Sequence, residues 1–265
     1  MQVAESTIWL TGASSGIGEA LAYALDQAGA HLILSARRAD ALEAVRTRCT
    51  RPDAHTIVPL DLADPASIAS AAATVGEHTH PLDLLINNGG ISQRDLAQDT
   101  TLDVDRRIME VNYFGTIALT KAVLPGMLAR KRGHFVAISS VVGYVGAPYR
   151  SAYAASKHAL HGFFESLRAE VADQGIGVTI VCPGFIHTNI SKNALKGDGR
   201  AHNEMDANQS SGLSAEACAE RIVAAIKKDK AELIVGGTET MGIYLRRFAP
   251  NVLRGILRKR VQKGY

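Results

Sequence analysis

The chain has 265 residues, 46% hydrophobic and 21% charged, with a formal net charge of +3. That balance excludes a disordered or fibrous protein and is ample for a sheet covered by helices on both faces. Cys49, Cys182 and Cys218 are odd in number and lack the spacing of a disulfide framework or a zinc site, which fits a reducing, cytoplasmic setting and no resident metal. With no Pro/Gly/Ser-rich linker, no apolar run of membrane-spanning length and a first strand too near Met1 to leave room for a leader, residues 1–265 read as one domain.

The charge is unevenly placed. The 26 residues from Thr240 to Tyr265 carry seven Lys/Arg and no acid, which leaves the remainder at −4. These cations are not interleaved with stacking aromatics and accompany no recognition motif, so nucleic acid is not expected as a partner.

In chain order, short apolar runs alternate with longer segments of helical period, the pattern of repeated βα units and a parallel sheet. Strands are expected at 8–10, 32–35, 56–59, 84–86, 135–139, 178–182 and 233–235, with helices between them. The first helix carries Ile17, Ala20, Leu21, Ala24 and Leu25 as one stripe, and Gly29 stands where a left-handed stop is expected. Two stretches break this rhythm. Residues 184–212 are polar and too long for an ordinary connection, so they read as a lid or binding loop. The basic tail, 244–265, reads as helical: Pro250 opens a last helix with Val252, Leu253, Ile256 and Leu257 on one side, packed inward in preference to peripheral contact with a membrane.

The first strand runs directly into Thr11-Gly12-Ala13-Ser14-Ser15-Gly16-Ile17-Gly18. Glycines at a strand-to-helix turn let the backbone approach a pyrophosphate, and the helix start supplies N–H groups and the positive end of the dipole. A triphosphate loop is a poorer reading, because the Lys that it needs is missing and Glu19 follows Gly18.

Tyr153 and Lys157 stand at i and i+4 near the start of the helical stretch 151–174, on one face, and Ser140 follows a buried-looking strand. A free Tyr has a pKa of about 10, and a neighbouring ammonium can lower it toward neutrality. The second strand ends in Ser35-Ala36-Arg37-Arg38. An acid at that end would bind the ribose hydroxyls of NAD, whereas the small Ala36 leaves room for a 2′-phosphate that Arg37 and Arg38 can meet.

TGxxxGxG at 11–18, Asn87-Asn88-Gly89-Gly90, Asn112, Ser140, Tyr153-xxx-Lys157, Pro183-Gly184 and Thr188 fall in the order and spacing of the short-chain dehydrogenase/reductase family, which the sequence resembles over almost its whole length. The one small departure is Gly89, where that family more often has Ala. The resemblance implies a single Rossmann domain of α/β class, with a doubly wound, mostly parallel seven-stranded sheet. It implies Tyr153 as acid/base, Lys157 as the residue that lowers its pKa and holds the nicotinamide ribose, and Ser140 as the group that orients the substrate oxygen. Asn112 would hold a water or satisfy buried backbone. Asp61 and Leu62 would flank the adenine, unless Asp61 caps a helix. Asn88 and Gly89 would pack on the adenosine, unless Asn88 forms a turn. Pro183, Gly184 and Thr188 would contact the nicotinamide half.

The function expected is therefore hydride transfer between NADP(H), favoured over NAD(H), and a small-molecule carbonyl or alcohol. A lipophilic pocket is expected from Val141, Val142, Tyr144, Val145, Phe185, Ile186 and Met205. The alternative is a catalytically silent NADP(H)-binding sensor or scaffold on the same fold. By resemblance the chain forms a homodimer or homotetramer through the long helices containing Asn112 and Tyr153.

Overall fold

Strand β1 (Thr7–Thr11) is buried at all of its positions, so it must be covered on both faces. Ile8 and Leu10 enter one hydrophobic core while Trp9 between them enters the other. The same double burial recurs in β2 (His31–Ser35), β4 (Leu84–Asn87), β5 (Gly133–Ile138) and β6 (Ile176–Pro183). Helices α1 (Gly16–Gln27), α2 (Ala39–Arg48) and α8 (Ala215–Lys227) cover the first face; α3 (Pro65–Gly76), α5 (Gly115–Arg130) and α6 (Ser151–Glu170) cover the second. This computed structural model describes residues 2–262, so residues 263–265 of the expected tail lie outside the described residues.

Together with β3 (Thr56–Ile57) and β9 (Glu232–Val235), these strands form one sheet of seven in the order β3-β2-β1-β4-β5-β6-β9, parallel throughout. The strand order reverses between β1 and β4, and the crevice beyond their C-terminal ends is where open α/β sheets bind ligands. On the other side of β1 the buried indole is satisfied: Trp9 Nε1 donates to Ser35 Oγ at 2.8 Å, and that hydroxyl donates to the Val58 carbonyl at 2.5 Å.

The expected fold class holds, with local differences. The third strand is two residues long instead of four, although the Val58 and Leu60 N–H groups still bond to the Leu34 and Ala36 carbonyls. Residues 184–212 are not an open loop. β7 (Ile186–His187) pairs with β8 (Leu213–Ser214), α7 (Ala207–Ser210) lies between them, and Leu195 bridges to Gln93 and Ala201.

The tail forms α9 (Met241–Phe248) and α10 (Pro250–Gln262). Its apolar residues are not all packed inward, which corrects the expectation. Leu253 and Leu257 are half-buried, but Val252 and Ile256 are 56% and 41% exposed, because the stripe is wider than the surface it meets.

Helix α6 is the element that carries Tyr153 and Lys157, and Leu160, Phe164 and Leu167 seat it on the sheet. Phe164 is fully buried. Phe164→Ala should lower unfolding stability by about 3–5 kcal/mol, the usual cost of an aromatic cavity. Urea denaturation checks this, and a loss below about 1 kcal/mol would mean that α6 is held in some other way.

Candidate active site

The glycine turn is fixed by steric limits. Gly12 and Gly16 have φ of +64° and +57°, in the left-handed region that side chains disfavour. A Cβ at Gly12 would lie 2.8 Å from the Gly89 Cα, and one at Gly18 would collide with the Gly12 carbonyl oxygen. Ser15 precedes α1 with its side chain making no capping bond, so the N–H groups of the first turn face a cradle that no side chain fills. The acid there, Glu19, is engaged by Arg48 at 2.8 Å and by the Tyr23 hydroxyl at 2.8 Å. These residues fit a pyrophosphate-bearing cofactor.

The cradle is tied to the neighbouring strand. The Thr11 hydroxyl accepts from the N–H groups of Asn88 at 3.0 Å and Gly89 at 2.9 Å, while Asn88 Nδ2 donates to the Thr11 and Gly12 carbonyls at 3.0 and 3.2 Å. Asn88 therefore acts on the turn itself. Leu62 comes beside Gly89, where its Cδ1 would lie 2.8 Å from an added Cβ, and Thr188 stands against Gly16. Asp61 Oδ1 accepts from the Ala63 N–H, whereas the cap of α3 is Asp64. Ser14 lies in the turn, and Arg37 and Arg38 are exposed at the end of β2, neither in an ion pair among the described residues.

Ser140, Tyr153 and Lys157 are brought together and buried, at 9%, 9% and 4% exposure. Ser140 Oγ donates to the Pro183 carbonyl at 3.1 Å and accepts from the Val142 N–H. The Lys157 ammonium lies 5.6 Å from the Tyr153 ring centre and donates to the Ile138 carbonyl at 2.8 Å. Asn112 sits in a single π-helical turn, 110–114, between α4 (Leu102–Met109) and α5. Its amide accepts from the Ile91 N–H and donates to the Ile91 carbonyl and to Ser156 Oγ, so it satisfies buried backbone next to Lys157.

Burial raises the Tyr153 pKa, and the groups that oppose this are the Arg94 and Arg150 guanidiniums and a hydrogen bond with Ser140. Two arginines therefore face the phenol in addition to the Lys157 ammonium. Both hold one carboxylate: Arg94 Nε and Arg150 Nη2 each donate to Asp206 Oδ2 at 2.8 Å. This cluster clamps the 184–212 segment to the start of α6, and the separation of Asp206 in sequence hides it from motif reading. Glu239 is a second residue without a sequence signal. Its Oε1 accepts from the Phe185 and Gly237 N–H groups and shapes the Pro183-Gly184 turn.

Beside Ser140 opens a cavity of about 200 Å³ with Val141, Val142, Val145 and Phe185 in its wall, as expected. Tyr144, Ile186 and Met205 are not in that wall. Tyr144 packs edge-on against His161, Ile186 is in the core, and Met205 meets Ser191. Their places are taken by Met241, Leu245, Leu253, Ile256 and Leu257 from the tail.

Burial also pushes the Lys157 pKa from 10.5 down to about 8. Between those values the unfolded chain holds this proton and the folded chain does not, so folding stability rises with pH across that window and the deficit is fully present below it. Lys157→Met should therefore stabilise the cofactor-free protein at pH 7 by about 1–3 kcal/mol while abolishing turnover. Urea unfolding at pH 7 and pH 10 checks this; a variant less stable than the parent at pH 7 would contradict it.

Comparison with known proteins agrees with this geometry. Residues 6–199 match the family model described as short chain dehydrogenase. The chain is 45% identical to "Dehydrogenase/reductase SDR family member 7B" of Rattus norvegicus, over 97% of this chain and 82% of that protein. A short-chain dehydrogenase from Streptomyces avermitilis superposes with a TM-score of 0.81 at 33% identity, covering 97% and 96% of the two chains. One from Sphingobium yanoikuyae, solved in complex with NADPH, gives 0.77 at 25% identity, covering 96% and 95%. The chain belongs to the short-chain dehydrogenase/reductase family of oxidoreductases.

Proposed function

We propose that the protein is an NADP(H)-dependent oxidoreductase acting on a lipophilic carbonyl/alcohol pair. The observation that carries this reading is the burial of Ser140, Tyr153 and Lys157 together beside an apolar cavity. The nicotinamide, when bound, supplies or accepts the hydride. The Tyr153 phenol gives its proton to the carbonyl oxygen in reduction and takes the alcohol proton in oxidation. Ser140 Oγ steadies that oxygen as charge develops on it. The Lys157 ammonium has one of three N–H groups on the Ile138 carbonyl, which leaves two for the nicotinamide ribose. Asn112 positions the Gly90–Ile91 backbone and, through Ser156, helix α6.

Choice of NADP(H) over NAD(H) is supported by the neutral, half-buried Ala36 and the exposed Arg37 and Arg38, whose guanidiniums can grip a 2′-phosphate by forked hydrogen bonds. Leu102 and Phe114, 59% and 48% exposed on the segment around Asn112, support a homodimer or homotetramer through that face. Three free, buried cysteines suit a reducing cytoplasm.

Tyr153→Phe should keep the fold and NADPH affinity while lowering turnover at least about a hundredfold, the range for a lost general acid/base. The assay is NADPH oxidation with aliphatic, aromatic and steroid-like ketones. Near-normal turnover in the variant would refute the mechanism, and no turnover by the parent across the panel would favour a silent sensor.

The parent should bind NADPH at least about tenfold more tightly than NADH, a difference of about 1.4 kcal/mol. Arg37→Ala should erase most of that difference and spare NADH affinity, as read by fluorescence titration. Equal affinities in the parent would overturn the cofactor assignment.

A further inference from the structure

The two C-terminal helices present an apolar surface that the fold leaves uncovered. Helix α9 has no buried residue. Met241, Tyr244 and Phe248 share one face by their spacing and are 58%, 55% and 81% exposed. On α10, Val252 and Ile256 share a face in the same way and are also exposed. Single exposed apolar side chains are ordinary, but five gathered on one helical pair mark an interaction surface. Met241 and Ile256 also line the cavity beside Ser140. The exposed surface and the rim of the cavity are therefore one continuous apolar region.

The charge around it says what covers it. Arg246 and Arg247 on α9 and Arg254, Arg258 and Lys259 on α10 are exposed, and residues 240–265 hold no acid. At 100° per residue, Arg247 falls beside the Tyr244–Phe248 edge of that face, whereas Arg246 points away from it and meets His158 Nε2 at 2.9 Å. Beside that face the Arg247 stem can lie along an apolar layer while its guanidinium reaches the charged edge. A second copy docked tail to tail would bring two acid-free basic surfaces together, and like charges repel. An anionic bilayer complements both parts of the surface, taking the aromatic and aliphatic side chains at the acyl boundary and the cations at lipid phosphates.

We propose that α9 and α10 dock on an anionic lipid surface with the mouth of the substrate cavity facing the bilayer, so that an amphipathic carbonyl compound passes between membrane and active site without crossing water. The docking stands on this surface alone; the route it gives to the substrate rests on the reading of the protein as an oxidoreductase of lipophilic carbonyls.

The test is flotation of the full chain with vesicles of phosphatidylcholine alone or mixed equally with phosphatidylglycerol, at low and high salt. The bound fraction should be at least about tenfold greater on the anionic vesicles and should fall as salt screens the cations. Replacing both exposed aromatics, Tyr244→Glu with Phe248→Glu, should abolish flotation and leave the thermal midpoint unchanged. Absence of flotation, indifference to anionic lipid, or full flotation of the double variant would overturn the proposal. So would a dimer that the double variant breaks with no lipid binding by the parent, which would assign the surface to a second copy. No substrate or cofactor enters this assay. A protein that floats yet reduces no ketone refutes the functional reading alone, and one that reduces ketones but does not float refutes the docking alone.

Discussion

The Thr11 hydroxyl is the small group on which the site's geometry turns. It is buried where β1 ends, donates to the Ile86 carbonyl at 3.3 Å and accepts two backbone N–H groups from the end of β4. With the Asn88 side chain bonded back to the turn, it locks the two strand ends on either side of the point where the sheet reverses. Everything above the sheet inherits that lock. The left-handed Gly12 can face Gly89 only because the strand ends are held this close, and α1 starts where it does because Gly18 packs against the Gly12 carbonyl. A cofactor site made of backbone needs such rigidity, since N–H groups cannot adjust as side chains do.

Tyr153 and Lys157 are arranged against their own comfort. A lysine buried to 4% exposure with a carbonyl as its hydrogen-bond partner holds its proton poorly, and a phenol buried to 9% gives its proton up poorly. Both shifts come from desolvation; the one on Lys157 moves its pKa toward neutrality, whereas the one on Tyr153 moves it away and needs correction by charges nearby. Arg94 and Arg150 supply that correction. Their carboxylate, Asp206, belongs to the 184–212 segment, so the electrostatics of the phenol depend on the segment being folded down on α6. Conformation and proton chemistry are linked through one buried ion cluster.

Sheet, helices and the grouping of Ser140, Tyr153 and Lys157 were legible because each obeys a local rule. Double burial gives unbroken apolar runs, an acid/base pair on one helix face needs a spacing of four, and a phosphate cradle needs glycines before a helix. What the sequence hid depends on long-range closure. Arg150 stands three residues before Tyr153, but its partner lies 56 positions away, and Arg94 is 112 positions from the same carboxylate. Glu239 looks like an ordinary surface acid until Phe185 and Gly237 are seen to converge on it. The apolar residues of the tail carry a clear helical stripe, yet periodicity says only that a face is apolar, not whether core, cavity or solvent meets it. Val252 and Leu253 are adjacent in sequence and end in different surroundings for that reason.

The cavity wall divides along the same line. Its inner side, Ser140, Val141, Val142, Val145 and Phe185, is built on segments that the sheet and the Glu239 turn hold in place. Its outer side comes from α9 and α10, which pack mainly on one another and leave much of their apolar surface uncovered. Elements with few buried contacts open at low free-energy cost, whereas those seated in the core open only with the whole domain. The outer wall of the cavity can thus change while the geometry of Tyr153 and Lys157 on α6 stays fixed. The price of that separation is an apolar surface in need of cover, which is why the question of what the tail binds and the question of what the cavity admits concern the same few side chains.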